Sequence, residues 1–288
     1  MTEKGLEVLR EAVSTNKNLI EAVVIGTDKN VVNDFSEEIR EFAQSQGVPF
    51  FERNQFKYAH EQCYALAVSW RWMIEHPEDK LIVFHDSLLP KYRGFAPLVN
   101  MLINGENRIG VTALFGSLQY DRGDILLQQS TPIKYPLKIN DAINLNNHNY
   151  RELVRKIFEI LEGKGTLVAE TQDESQASYS IWRDSLDYYI DWQQSASQIK
   201  RFIDAVGYPY DGAKSKTNLG FDVKITEVEI VPDINCEIRH VGKVVFVEDG
   251  MPVIICGEGL LRIKEAYEKI DNGDRSLLPL KSFRVRFY

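Results

Sequence analysis

The sequence predicts two structural parts, a Rossmann-like, doubly wound α/β domain and a small, mainly β, OB-like domain after it. In the first half of the chain, short apolar segments alternate with amphipathic segments of helical period. Such alternation is typical of a sheet covered by helices on both faces. A polar stretch, E-T-Q-D-E-S-Q-A-S-Y-S, then ends the pattern, and short strand-like segments with glycine-containing turns follow. We therefore predict domains over residues 1–178 and 179–288.

The first domain is predicted to begin with a helix over residues 2–13, whereas a doubly wound domain normally begins with a strand. The segment 19–26 is the first buried strand, and it runs into a glycine turn. Either the sheet has lost its first strand, or the helix is an extra element ahead of it. The sequence leaves both explanations open.

The remaining elements follow from their apolar periods. Helices are predicted over 33–47, 97–104 and 140–162, and Pro97 suits the first turn of the second one. Further strands of this domain are predicted over 48–51, 66–69, 81–84, 110–115 and 124–130. The second domain is predicted to contain a helix over 195–206 and strands over 222–230, 242–247, 252–256 and 260–263.

Composition and charge argue against several classes of protein. The net charge of the 288 residues is −8, which disfavours an extended nucleic-acid partner. No apolar run reaches the ~18 residues of a membrane helix, and the N-terminus lacks a signal-peptide pattern. We expect a cytoplasmic protein without a membrane partner. Cys63, Cys236 and Cys256 lack C-x-x-C spacing and no H-x-x-x-H pair occurs, so neither a disulfide framework nor a metal site is predicted.

A histidine and an aspartate are the candidate catalytic residues. His85 ends an apolar strand, and Asp121 opens the turn D-R-G-D between two strand-like segments. Ligands of open α/β sheets bind at the carboxyl ends of strands, and a carboxylate can orient an imidazole for proton transfer. The alternative interpretation is that each side chain caps a turn through local hydrogen bonds.

Other segments near this pair have the composition of binding sites. The run W-R-W-M at 70–73 suits a flat heterocycle, although aromatic residues more often pack in a core. Lys91 and Arg93 could hold a phosphate, or could be solvated surface cations. Tyr208 and Tyr210 could line a substrate cleft, or belong to a turn that joins a helix to the β domain.

Motifs along most of the chain resemble the folate-dependent formyltransferase family. They are H-D-S-L-L-P-K-Y-R-G-F-A-P from His85, I-N-G from Ile103, G-V-T from Gly110, D-R-G-D from Asp121, I-D-W from Ile190 and F-I-D-A-V-G-Y-P-Y-D-G-A from Phe202. The chain looks most similar to nucleotide-sugar N-formyltransferases, including those of pseudaminic-type amino-sugar pathways. It is also similar to methionyl-tRNA formyltransferases.

The resemblance implies a formyl transfer from N10-formyltetrahydrofolate to the primary amine of a nucleotide-linked amino sugar. His85 and Asp121 are implied as the catalytic pair, with small-molecule partners, no metal and no nucleic acid; a homodimer stays open. The implied folate-binding residues are Trp70, Arg71, Trp72, Met73, Gly116, Ser117, Leu118, Gln119 and Tyr120. The implied sugar-nucleotide residues are Ser87, Lys91, Arg93, Tyr208 and Tyr210.

One departure from the family pattern concerns the position two residues before His85. The family has an asparagine there that helps to polarise the formyl carbonyl, whereas this chain has Val83. Loss of one oxyanion donor costs about 10²–10³ in rate, so Ser87, Asn100 or a backbone amide must replace it, or the enzyme is slow. The alternatives are methionyl-tRNA or a carrier-bound aminoacyl group as acceptor, and an inactive folate- or nucleotide-binding relative.

Overall fold

The computed structural model describes residues 1–28, 33–56, 62–271 and 273–288. The chain forms two compact units that interleave in sequence. The first consists of Met1–Pro97, Arg108–Pro132 and Ile143–Ser180, and the second of Leu98–Asn107, Ile133–Ala142 and Ile181–Tyr288. The last residue of the first unit lies close to the predicted boundary at 178/179. Two segments that precede this boundary in sequence nevertheless belong to the second unit.

The first unit begins with helix α1 (Glu3–Asn16), as the sequence predicts. It is followed by strand β1 (Val23–Ile25), helix α2 (Ser36–Ser45) and strand β2 (Phe50–Glu52), and the two strands pair in parallel. Among the described residues, no strand precedes α1.

The first unit also contains a mixed sheet of four strands. The next elements along the chain are β3 (Ala65–Ala67), β4 (Leu81–His85), β5 (Arg93–Gly94), α3 (Pro97–Asn104), β6 (Arg108–Phe115), β7 (Ile125–Pro132), α4 (Ile139–Glu162) and β8 (Tyr179–Ser180). Helix α3 belongs to the second unit apart from Pro97, and the first four residues of α4 also belong to that unit. The sheet has the order β3-β4-β6-β7, and only β3 and β4 are parallel, since β6 is antiparallel to both of its neighbours. The α/β class is thus confirmed, with a sheet that is mixed. Strands β5 and β8 form a separate parallel ladder.

Helix α1 packs against the β1–β2 ladder and against the four-stranded sheet. Leu6 and Leu9 join a buried cluster with Ile25 of β1. Val8 joins a second cluster with Ile82 of β4. Because the apolar residues of an amphipathic helix repeat every three or four positions, neighbouring stripes of one helix can pack in both clusters. The helix therefore joins the β1–β2 ladder to the four-stranded sheet.

The second unit is mainly β, as predicted. Helix α5 (Ala196–Val206) begins with a capping box formed by Ser195 and Gln198. The strands are β9 (Ala213–Lys216), β10 (Asp222–Val231), β11 (Val244–Glu248), β12 (Met251–Ile255), β13 (Leu260–Ile270) and β14 (Gly273–Ser276). They form one antiparallel sheet of order β11-β12-β13-β10-β9, with β14 on β13.

Two classes of feature are not found in the part of the chain that the structure describes. No helix there combines the length and apolar character that crossing a membrane requires. No cluster of three or more histidine, cysteine, aspartate or glutamate side chains is arranged to hold a metal ion.

Candidate active site

His85 is the last residue of β4, and its side chain is buried. The Nε2 atom lies 2.7 Å from the carbonyl oxygen of Tyr92. A carbonyl oxygen can only accept a hydrogen bond, so Nε2 carries the hydrogen in this contact. The other ring nitrogen, Nδ1, lies 3.4 Å from Oδ1 of Asp121. The structure thus brings together the two residues that the sequence selects as a catalytic pair.

Asp121 lies in the connection between β6 and β7, where the backbone has a conformation that suits a tight turn. Its φ is 58°, in the left-handed region that aspartate tolerates better than most residues. Its Oδ2 accepts a hydrogen bond of 2.8 Å from the backbone N–H of Gly94. A Cβ at Gly123 would lie 1.8 Å from the carbonyl oxygen of Phe115, so only glycine fits there. The D-R-G sequence therefore shapes the turn that presents the carboxylate.

Each ring nitrogen of His85 faces an oxygen atom of the protein. Nε2 donates to the Tyr92 carbonyl and Nδ1 faces the Asp121 carboxylate. A substrate nitrogen that is to exchange a proton with Nε2 must first displace the Tyr92 carbonyl.

A cavity of about 210 Å³ lies at the ends of β1 and β3. Its lining residues are Met1, Thr2, Asp28, Ser69, Trp70, Arg71 and Trp72. The rings of Trp70 and Trp72 meet edge to face with centroids 5.0 Å apart, and Arg71 forms an ion pair with Asp28. The indole nitrogen of Trp70 is buried and has no hydrogen-bond partner among the described residues. Three residues of the predicted folate segment, Trp70, Arg71 and Trp72, therefore line a pocket with aromatic walls.

The pocket is smaller than the ~300–1,000 Å³ usual for a whole ligand site, so it would take one part of a ligand, such as a bicyclic ring. The remaining predicted folate residues are not among its lining residues. Met73, Leu118 and Tyr120 are strongly exposed apolar side chains, with Leu118 93% exposed. Ser117 and Gln119 are also exposed, whereas Gly116 is buried and its N–H bonds the carbonyl of Leu81 at 2.7 Å.

Two family models match the chain. One is described as formyl transferase and matches residues 66–150, and the other is described as formyl transferase, C-terminal domain, and matches residues 184–271. Together they cover more than half of the chain, and the first contains both His85 and Asp121. The chain belongs to the formyltransferase family. The two matches also correspond to the α/β and mainly β parts of the fold.

Curated relatives are similar over part of their length. Methionyl-tRNA formyltransferase of Geobacter metallireducens is 32% identical over 198 residues, which cover 67% of this chain and 60% of that protein. The same enzyme of Citrifermentans bemidjiense is 34% identical over 197 residues, covering 67% and 58%. This chain therefore spans about three-fifths of the length of these relatives.

A solved structure shares the fold along almost the whole chain. The N-formyltransferase of Helicobacter canadensis, crystallised with folinic acid and dTDP-3-aminofucose, aligns with a TM-score of 0.67 at 18% identity. The alignment covers 91% of this chain and 95% of that one. The sugar 3N-formyl transferase WlaRD, crystallised with dTDP and 5-N-formyl-THF, gives 0.66 at 18%, covering 95% and 94%. At this identity the likeness shows the fold alone.

The predicted substrate-binding residues of the first unit differ in their exposure and in their hydrogen-bond partners. The guanidinium of Arg93 is fully buried and bonds Gln172 and Glu174, so a phosphate could reach it only by displacing a protein partner. We therefore do not carry Arg93 into the proposed substrate site. Ser87 is buried and its Oγ donates to the carbonyl of Lys91 at 2.7 Å, which shapes the loop. The Lys91 side chain itself is exposed.

The second unit contains the other predicted substrate residues. Tyr208 and Tyr210 follow α5, and both are exposed. Asn100 of α3, a candidate to replace the missing family asparagine, accepts a hydrogen bond of 2.7 Å from Arg183. The roles of these residues stay predictions.

Sequence reasoning missed Asp86, which directly follows His85. Its carboxylate forms an ion pair with Lys4 of α1 and accepts a hydrogen bond of 3.1 Å from Asn146 of α4. Burial acts to raise the pKa of Asp86, but the charge of Lys4 and hydrogen bonds from Lys4 and Tyr150 outweigh it and lower the pKa. The only signal in the sequence was a second acid beside the histidine, and its partners come from distant helices.

Proposed function

We propose that this formyltransferase moves a formyl group from N10-formyltetrahydrofolate to the primary amine of a nucleotide-linked amino sugar. The observation that carries the proposal is the 3.4 Å contact between His85 and Asp121, inside the segment that the family model matches. Further support comes from the aromatic cavity at Trp70 and Trp72, whose flat walls suit a pterin ring. Two proteins of the same fold were crystallised with a folate and a dTDP ligand.

The proposed chemistry needs a proton to move from the attacking amine to the nitrogen that leaves. The neutral amine attacks the formyl carbon, its nitrogen loses a proton, and N10 of the folate gains one as the C–N bond breaks. His85 and Asp121 would carry this proton as a coupled pair. Substrate binding would exchange the Tyr92 carbonyl for the amine at Nε2. Hydrogen bonds of catalytic groups often reach their working geometry only in the substrate complex.

The pair would also supply electrostatic stabilisation where the chain lacks the asparagine of the family. Val83 has no side-chain donor where the family has asparagine. Once His85 has taken the proton of the amine, its imidazolium is a positive charge beside the Asp121 carboxylate that can stabilise an oxyanion. We therefore propose that His85 serves as both proton carrier and oxyanion stabiliser, at a turnover below that of relatives with the asparagine.

Methionyl-tRNA is the second candidate acceptor, because the curated relatives named above are methionyl-tRNA formyltransferases. A tRNA is polyanionic and requires an extended basic surface, whereas this chain has a net charge of −8. The charge therefore favours the small-molecule acceptor. A cytoplasmic location and a homodimer stay predictions.

The direct test measures tetrahydrofolate release from N10-formyltetrahydrofolate in the presence of a panel of dTDP- and UDP-amino sugars, and of methionyl-tRNA. We expect turnover with an amino sugar nucleotide. In the His85→Asn and Asp121→Asn variants kcat should fall by about 10²–10⁴ with little change in KM. Near-normal kcat in His85→Asn would refute the catalytic assignment. Turnover with methionyl-tRNA alone would select the second acceptor.

A further inference from the structure

Gln172 is buried beside the turn that carries Asp121. It lies between the two segments that the family models match, and it belongs to neither of them. Its Nε2 donates hydrogen bonds to the backbone carbonyls of Asp121, at 2.8 Å, and of Gly123, at 2.7 Å. One amide group thus holds the turn on both sides of Arg122.

The opposite end of the same amide contacts the segment that fixes His85. Its Oε1 accepts hydrogen bonds from Arg93, at 3.1 Å from Nε and 2.8 Å from Nη2. Arg93 stands between Tyr92, whose carbonyl contacts His85, and Gly94, whose N–H donates to Asp121. The side chain of Gln172 therefore links the backbone around one member of the pair to the backbone around the other.

Only an amide satisfies both sides of this position. Arg93 has donors and no acceptor, so an oxygen must face it, whereas the two carbonyls require N–H donors. The turn also needs support, because a positive φ at a non-glycine residue such as Asp121 is a strained conformation that persists where its surroundings hold it. Gln172 provides two of the hydrogen bonds that hold this turn.

We propose that Gln172 is a positioning residue, which keeps the Asp121 carboxylate at the distance from His85 that proton transfer requires. The expected effect of Gln172 on turnover rests on the proposed function. Its effect on the His85–Asp121 contact does not depend on that function. The Gln172 side chain bonds the backbone carbonyl of Asp121, and its hydrogen bonds do not go to the Asp121 carboxylate or to the His85 ring.

The first test is the Gln172→Glu variant, which keeps the size of the side chain and an acceptor for Arg93. It replaces the two N–H donors with an oxygen that faces two carbonyls, so the turn should shift. We expect kcat to fall by about 10–100-fold, the scale of a 1 Å misplacement, with KM for both substrates nearly unchanged. Gln176→Glu makes the same change four residues later at an exposed position, and it should retain wild-type kcat.

A double-mutant cycle separates positioning from general damage. In an Asp121→Asn background, Gln172→Glu should lower kcat no further, because both changes act on the same contact. Losses that multiply would overturn the proposal. If Gln172→Glu does not fold, Gln172→Asn keeps the amide but is one methylene too short to reach both partners. It should show the same coupling to Asp121→Asn.

A measurement that does not depend on turnover tests the positioning role separately from the proposed function. The ¹⁵N NMR signals of the His85 ring report its protonation and hydrogen bonds, and the His85→Asn variant identifies them. Gln172→Glu should move these signals in the same direction as Asp121→Asn does, and Gln176→Glu should leave them in place. Unmoved signals would overturn the positioning role. If the variants move the signals as expected but the wild-type protein transfers no formyl group, the result contradicts the proposed function alone.

Discussion

The ion pair between Lys4 and Asp86, the residue that follows His85, should make the stability of the folded protein depend on pH. Because the pKa of Asp86 is lowered in the folded protein, its contribution is complete above the pKa of an unfolded aspartate and is lost as pH falls through the folded value. Removing Lys4 leaves a carboxylate that is only 21% exposed without its cation. We expect Lys4→Met to lower the free energy of unfolding by about 2–3 kcal/mol at neutral pH.

Urea unfolding at neutral and at acid pH checks this prediction. The difference between wild type and Lys4→Met should shrink at acid pH, where Asp86 takes up a proton in both proteins. Lys134→Met removes a cation from an exposed position and serves as the control. A stability difference that stays constant with pH would show that Lys4 acts by packing and not by its charge.

Single residues could be predicted from the sequence where chemistry alone selects them. His85 and Asp121 stood out because an imidazole and an acid follow strand-like segments. Arg93 was assigned to a phosphate, but its guanidinium is buried against Gln172, a partner 79 positions away. Gln172 was missed for the same reason, because its role exists only once the chain has folded. The local sequence shows which side chains have chemical groups suited to catalysis or binding. It does not show which of these groups already form hydrogen bonds with residues that are distant in sequence.

At the scale of elements, the capping box of α5 is a specific stabilising feature. The N–H of Gln198 donates to Ser195 Oγ at 3.2 Å, and the Gln198 side chain accepts from the Ser195 N–H at 3.1 Å. Ser195→Ala removes the capping oxygen and should lower the free energy of unfolding by about 1 kcal/mol. Chemical denaturation measures this loss. Ser195→Asp keeps a capping oxygen, so a loss as large as that of alanine in this control would contradict the capping role.

Element prediction succeeded where the residues repeat with a clear period. Helix α3 was predicted with the bounds that the structure shows, and α1, α2, α4 and α5 within a few residues. Strands β9 and β14 were missed because their sequences, A-K-S-K and G-D-R-S, lack the apolar alternation that marks a strand. They form through pairing with β10 and β13, which is a tertiary effect. The seven residues of β13 after Ile263 were missed because they are mostly polar.

For the whole molecule, the sequence predicted the α/β class and the mainly β second part. It did not predict the strand directions in the four-stranded sheet of the first unit. The segments that form β6 and β7 are joined by a short loop and therefore pair as an antiparallel hairpin, so the sheet is mixed. The same loop carries Asp121. An antiparallel connection that departs from a doubly wound sheet therefore carries the acid of the proposed catalytic pair.

The net charge of the whole chain predicts different binding of the two candidate acceptors, an amino sugar nucleotide and methionyl-tRNA. A protein of charge −8 should repel a polyanion, and tRNA binding depends on the release of counterions by basic side chains. We expect fluorescence anisotropy with labelled tRNA to show weak binding at about 50 mM salt and almost none at about 200 mM. A dTDP- or UDP-amino sugar should raise the Tm at the same salt concentrations, because ligand that binds the folded state stabilises it. The methionyl-tRNA formyltransferase of Geobacter metallireducens is the positive control for tRNA. Tight tRNA binding by this chain at the higher salt concentration, with no Tm shift from sugar nucleotides, would contradict the amino-sugar acceptor and select methionyl-tRNA.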